Sequence, residues 1–292
     1  MEGSHARWES RGLIATVEMP SGKGAADENF PVGSWLIRRD LRPAVHAFYR
    51  FARQADDVAD SPDLSAEEKV RRLDRMGAVL DGAPGEDAPA AKAMRESLLA
   101  TGVTPQHCHD VLRAFRMDAT KLRYRDWDDL MEYCRYSASP VGRQLLDLHG
   151  ESRDTWPPND ALCSALQVLN HLQDCVTDHR LLDRVYLPTE DLARFGAAID
   201  DLTLASATPG LRRVLDYLLD RTAELVRRAR DLPPRVESRG LRRETAIIVN
   251  LAERLTEHLR RGDPLASRVK LGKWDFAAAL VIGLWRGGRG AA

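Results

Sequence analysis

The chain has little of what marks a secreted, membrane-spanning or nucleic-acid-binding protein. Four cysteines are spread over 292 residues, and Cys108, Cys134, Cys163 and Cys175 lack the close pairing of a metal knuckle or redox motif. They read as reduced thiols of a cytosolic protein. No window approaches the ~20 apolar residues of a membrane-spanning helix, and residues 1–27 hold no apolar core of signal-peptide length. With 43 Lys plus Arg against 44 Asp plus Glu, the net charge is -1, which excludes the electrostatic footprint of a nucleic-acid partner. Repeats of solenoid length are absent. Alternating β-branched runs are so scarce that no strand is predicted.

What is present is helical periodicity. From about residue 40 onward apolar residues return at three and four, predicting helices over 40–60, 65–81, 88–101, 104–121, 126–147, 159–181, 208–231, 239–261 and 273–286. Ser65 with Glu68 three residues on reads as a capping-box start, and Thr104-Pro105 as an N-cap with a first-turn proline. Pro140, in Ser137-Ala138-Ser139-Pro140, should break or kink the 126–147 helix. Val185-Tyr186-Leu187-Pro188 reads as extended chain and Leu232-Pro233-Pro234 as a hinge. No linker divides the chain. The expected organisation is a disordered arm over 1–27 and one all-α domain over 28–292.

Two stretches carry the chemistry. In Tyr49 to Asp60, YRFARQADDVAD, the side chains of Tyr49, Arg53, Asp56 and Asp60 fall in one narrow helical sector. In Gln167 to Asp178, QVLNHLQDCVTD, Gln167, Asn170, Asp174 and Asp178 do the same. Like charges one turn apart destabilise a helix unless compensated, and the ordinary compensation is a solvated face paired with arginine. The flanks argue against that here. Phe51, Ala52, Ala55, Val58 and Ala59 surround the first stripe, and Leu166, Val168, Leu169, Leu172, Cys175 and Val176 the second, so both helices read as buried. Buried carboxylates need a cation, and Mg²⁺ takes oxygen ligands shared between one or two carboxylates and substrate phosphates. Two such stripes should therefore face each other across a magnesium and diphosphate site.

This pair of motifs resembles the squalene and phytoene synthase family of the all-helical isoprenoid-synthase fold. Glu28-Asn29-Phe30-Pro31-Val32 and Cys134 to Gly142, CRYSASPVG, resemble its hydroxysqualene synthase branch, and Arg184 to Leu192, RVYLPTEDL, is similar to the signature after the second acidic motif. The resemblance implies metal binding by Asp56, Asp60, Asn170, Asp174 and Asp178, with Asp57 at the rim. It implies that Arg53 and Arg184 hold the diphosphate. Phe30, Tyr49, Tyr133, Ser137, Ala138, Val141, Gly142 and Gln167 then line the prenyl channel or its polar end. His171 and Leu172 replace a more aromatic pair, His179 stands where an aromatic residue often follows, and Asp183 replaces a common glycine. These departures bear on cavity shape, since none removes a metal ligand.

The implied function is Mg²⁺-dependent conversion of presqualene diphosphate to hydroxysqualene. Metals with Arg53 and Arg184 trigger ionisation, and water captures the carbocation. Tyr133, Ser137 and Ser139 are the candidates for positioning that water. No nicotinamide cofactor is expected, because no glycine-rich dinucleotide fingerprint is present. The alternatives are head-to-head joining of two prenyl diphosphates to squalene, phytoene or presqualene diphosphate, and an inactive binding or assembly protein on the same fold. Expected partners are the prenyl diphosphate, a presqualene diphosphate synthase and a hydroxysqualene-reducing enzyme, with no nucleic acid. Phe276 to Trp285, flanked by Lys270, Lys273, Arg286 and Arg289, reads first as a core helix and second as a peripheral contact with the cytoplasmic membrane face. His107 and His109 read as surface or cap residues, and Asp118 with Lys121 as a helical salt bridge, diphosphate anchoring being the alternative.

Overall fold

A computed structural model describes residue 17 and residues 36–288, with side chains described as far as 283. Phe30, the ENFPV motif and the expected N-terminal arm lie outside the described residues apart from Val17. Helices dominate: α1 Arg42–Asp60, α2 Ala66–Leu80, α3 Pro89–Thr101, α4 Gln106–Thr120, α5 Trp127–Ser137 and α6 Ser139–Leu148. There follow α7 Trp156–Leu182, α8 Thr189–Phe195, α9 Pro209–Ala229, α10 Leu232–Arg235, α11 Arg239–Arg261 and α12 Lys273–Gly288. The sole extended pairing among the described residues is a parallel bridge between Arg123 and Val185.

Local chemistry explains the boundaries. The Ser65 hydroxyl accepts from the Glu68 amide at 3.3 Å to open α2, and Asp126 accepts from the Asp129 amide at 2.8 Å to open α5. Pro140 does break the predicted 126–147 helix. The chain turns at Ala138, and the proline then sits in the first turn of α6, where its missing amide hydrogen costs nothing. α7 ends on Asp183 at φ 51°, a left-handed position that favours glycine and that aspartate tolerates. The Asp183 carboxylate is held there by the Arg123 guanidinium. The proline-rich segment expected as a hinge is instead the single turn of α10.

Buried apolar side chains form two clusters. One draws on α1 to α4, with Phe51, Leu73, Met76, Met94 and Leu112. The other draws on α4 to α11, with Leu130, Leu146, Leu169, Leu215 and Leu255. α12 lies against α11 so closely that a Cβ on Gly283 would come within 2.3 Å of Ile247. The expectation of a packed final helix thus holds for one of its faces.

Two side-chain expectations are corrected. Lys121 pairs with Asp129, leaving Asp118 to other partners. His107 is a buried side chain whose Nε2 lies 2.9 Å from Asp147, and it meets Trp156 edge-on. His109 does sit outside, against Asp81. Because Leu73 is wholly buried in the first cluster, Leu73→Ala should cost about 2–5 kcal/mol in urea unfolding. A cost below ~1 kcal/mol would contradict this packing.

Candidate active site

The two acidic stripes line one cavity of about 280 Å³. Asp56 and Asp60 enter it from α1, Gln167, Asn170, His171, Asp174 and Asp178 from α7, Phe115 and Asp118 from α4, and Tyr133 and Ser137 from α5. Leu182, Arg184 and Tyr186 complete the wall. The facing arrangement read from periodicity is therefore present.

Arginines neutralise these carboxylates. Arg53 reaches Asp56 at 2.9 Å and Asp57 at 3.0 Å. Arg184 is buried and makes three bonds, donating from Nη1 to Asp60 at 2.6 Å, from Nη2 to the Ala59 carbonyl at 3.0 Å and from Nε to the Asp118 carbonyl at 3.1 Å. Arg268, from the segment before α12, forks onto Asp174 at 2.8 and 3.0 Å. Asp57 departs from its expected place at the rim. Its side chain is only 2% exposed and is held by Arg53, outside the cavity lining, because a neighbour of Asp56 points about 100° away around the helix.

An aromatic cluster backs the cavity. The hydroxyls of Tyr133 and Tyr186 donate to the two carboxylate oxygens of Asp118 at 3.0 and 2.9 Å. His171 stacks on Tyr186 with ring centroids 3.5 Å apart, and its Nε2 lies 3.1 Å from the Gln167 amide nitrogen. Ser137 carries a buried hydroxyl with no partner among the described residues.

Burial and crowding shift the acids. Asp56 is pushed up to about 8, first by burial and then by Asp60, with Arg53 pulling the other way. Burial lifts Asp118 to about 6 against the pull of Arg184 and the two tyrosines. Asp174 is also raised by burial, opposed by Arg268. Burial works against the charge of Arg184, but Asp118 and Asp60 among its neighbours outweigh it and its pKa rises.

One helical turn away lies an apolar cavity of about 310 Å³, lined by Tyr49, Ala52, Val141, Gly142, Cys163 and Leu166 among others. Ala52 and Asp56 are successive turns of α1, as Cys163 and Gln167 are of α7, so the same helices carry an ionic chamber and an apolar one about 5.4 Å apart along their axes. Gly142 lets α6 approach α7 at the apolar chamber, since a Cβ there would lie 2.0 Å from Asn159 Oδ1.

Of the sequence-predicted site residues, Asp56, Asp60, Tyr133, Ser137, Gln167, Asn170, Asp174, Asp178 and Arg184 meet in the ionic chamber. Tyr49, Val141 and Gly142 meet in the apolar one. Arg53, Asp57 and Ala138 line neither, though Arg53 bonds to Asp56, and Ser139 is buried away from both. Phe115, Tyr186 and Arg268 were missed as site residues, and Asp118 was read first as half of a helical salt bridge, with diphosphate anchoring as the alternative. A hint for Asp118 was its position after Ala114, Phe115 and Met117 on the same helix, too apolar a setting for a surface ion pair.

The donor set suits a hard divalent cation, because five aspartates and Asn170 share one chamber and Asp56 resists ionisation even with Arg53 beside it. Among the described residues no three His, Cys, Asp or Glu side chains converge closely enough to hold a metal by themselves. Such a site suits cations that complete their shell with substrate oxygens and water.

This helical bundle, with acidic stripes on two facing helices, has the isoprenoid-synthase fold. Residues 24–275 match the family model for squalene/phytoene synthase, and the chain belongs to that family. It is 47% identical to the hydroxysqualene synthase of Rhodopseudomonas palustris over 91% of both chains. It is 44% identical to that of Zymomonas mobilis over 89% of this chain and 88% of the relative. Among solved structures it resembles squalene synthase HpnC from Alicyclobacillus acidocaldarius, with a TM-score of 0.70, 33% identity and coverage of 79% of this chain and 87% of the other.

The Asp56 shift fixes a pH dependence. Between about 4 and about 8 the folded protein keeps a proton that the unfolded chain has released, so stability falls as pH rises through that window. In the presence of a chelator the melting temperature should be lower near pH 8.5 than near pH 6, with Asp56→Asn removing much of the difference. Parallel pH profiles for the two proteins would overturn the shift.

Proposed function

We propose that this protein converts presqualene diphosphate to hydroxysqualene and releases diphosphate. The observation that carries the reading is the juxtaposition of an ionic chamber, fit for a diphosphate, with an apolar chamber one turn along the same helices. The likeness to two hydroxysqualene synthases over about nine-tenths of their length narrows it to this product.

Asp56, Asp60, Asn170, Asp174 and Asp178 would hold Mg²⁺ as one shared oxygen lining. Bound there, the metal supplies Lewis-acid neutralisation of the departing diphosphate. Arg184 and Arg53 add fixed positive charge at the same end, preorganised by their bonds to Asp60 and Asp56. The apolar chamber keeps bulk water from the carbocation. A single water then forms the new C–O bond, and its proton passes to the released diphosphate. Ser137 is the favoured group to hold that water, because its hydroxyl is buried and uncommitted. The Tyr133 hydroxyl proton is already given to Asp118, which leaves its oxygen able only to accept. A presqualene diphosphate synthase would supply the substrate and a hydroxysqualene-reducing enzyme would consume the product. Long hydrocarbons on both sides of the reaction support a peripheral position at the cytoplasmic membrane face.

Purified protein with Mg²⁺ should turn presqualene diphosphate into hydroxysqualene, identified by mass spectrometry. Asp56→Ala or Asp174→Ala should slow diphosphate release roughly a hundredfold or more, whereas Ser137→Ala should shift product toward hydrocarbon formed by proton loss. Turnover of farnesyl diphosphate alone would point to head-to-head coupling, and unchanged release in both aspartate variants to a different site.

A further inference from the structure

α12 presents two unlike faces. Ala279 and Gly283 are buried against α11. The opposite face carries Trp274, 88% exposed, and Val281, 68% exposed, while Phe276 and Leu280, 42% and 39% exposed, lie on the flank between the two. Trp274, Ala277 and Val281 recur at three and four and so share one side of the helix. A protein surface seldom leaves so many large apolar groups together without a use for them.

The surrounding charge identifies the partner. From residue 266 to 283 the charged residues are Arg268, Lys270, Lys273 and Asp275. Asp275 is engaged by Arg254, His258 and the Gly272 amide, and Arg268 by Asp174. Lys270 and Lys273 are exposed and have no carboxylate partner among the described residues, so the rim of the apolar face is cationic. An interfacial tryptophan, an apolar helix face and flanking lysines fit the headgroup region of an anionic bilayer. No helix among the described residues is long and apolar enough to cross a membrane, so the contact is peripheral. Its position is also apt. α11 sets Glu244, Thr245 and Ile248 into the wall of the apolar chamber and Ile247 against α12, which leaves one helix between the exposed face and the cavity.

We infer that the outer face of α12, with Lys270 and Lys273, docks the protein on anionic lipid. The inference deepens the proposed function by naming the surface and lipid class through which a long-chain substrate would be met. Flotation of the full chain with phosphatidylcholine vesicles, with and without phosphatidylglycerol, tests it. Wild type should bind the phosphatidylglycerol vesicles and release as salt is raised. Lys270→Gln with Lys273→Gln should weaken binding by roughly tenfold or more, and Trp274→Ala with Val281→Asp should abolish it. Both pairs are exposed, so melting temperatures should stay at the wild-type value, and the lysine pair leaves the apolar face intact. Wild type that fails to bind, or variants that bind as wild type does, would overturn the inference. So would a Trp274→Ala, Val281→Asp protein that loses self-association in sedimentation while keeping its vesicle binding. No prenyl substrate enters the assay, so binding without turnover would sink the functional reading alone, and turnover without binding the docking surface alone.

Discussion

The guanidinium of Arg184 joins three segments that are distant in sequence: the end of α1 through Asp60 and Ala59, α4 through the Asp118 carbonyl, and the chain leaving α7. Burying that charge is tolerable only because each direction meets an acceptor. Removing one partner of a buried ion pair costs about 3–5 kcal/mol, whereas an exposed pair is worth ~1 kcal/mol or less. Arg184 with Asp60 therefore outweighs the more exposed Arg268 with Asp174 in holding the acidic helices in register.

From that point the polar interior follows. Asp118, buried behind the chamber, satisfies both of its oxygens with the hydroxyls of Tyr133 and Tyr186. Those rings pack with Tyr124 and His171 into the edge of the second core cluster that faces the acids. The same helices that bring carboxylates together at one turn bring alkyl and aromatic groups together at the next. The same two helices thus offer an ionic chamber for a diphosphate and an apolar chamber for a hydrocarbon.

Much of this was legible in the sequence because it is periodic. The stripes of α1 and α7 follow from spacing by three and four, and the break between α5 and α6 from Pro140. What escaped depends on contacts that no local pattern records. Asp118 has a lysine three residues on and looks like half of a helical ion pair, yet its partners lie 15 and 68 positions away. His107 finds Asp147 at a separation of 40 residues. Asp57 was placed at the rim by the family resemblance, whereas its side chain turns away from the chamber to Arg53. α8 and α10 contain too few turns for periodicity to show. Asp183 was noticed as a departure from glycine, and its left-handed backbone supplies the reason glycine is common there.

The central claim is that the acidic groups of α1 and α7 grip a single diphosphate. A double-mutant cycle with Asp56→Asn and Asp178→Asn, read by calorimetric binding of inorganic diphosphate in the presence of Mg²⁺, measures it most directly. One shared site predicts a coupling energy above ~0.5 kcal/mol between the two substitutions. Strictly additive losses would show that the two stripes bind independently and would contradict the account.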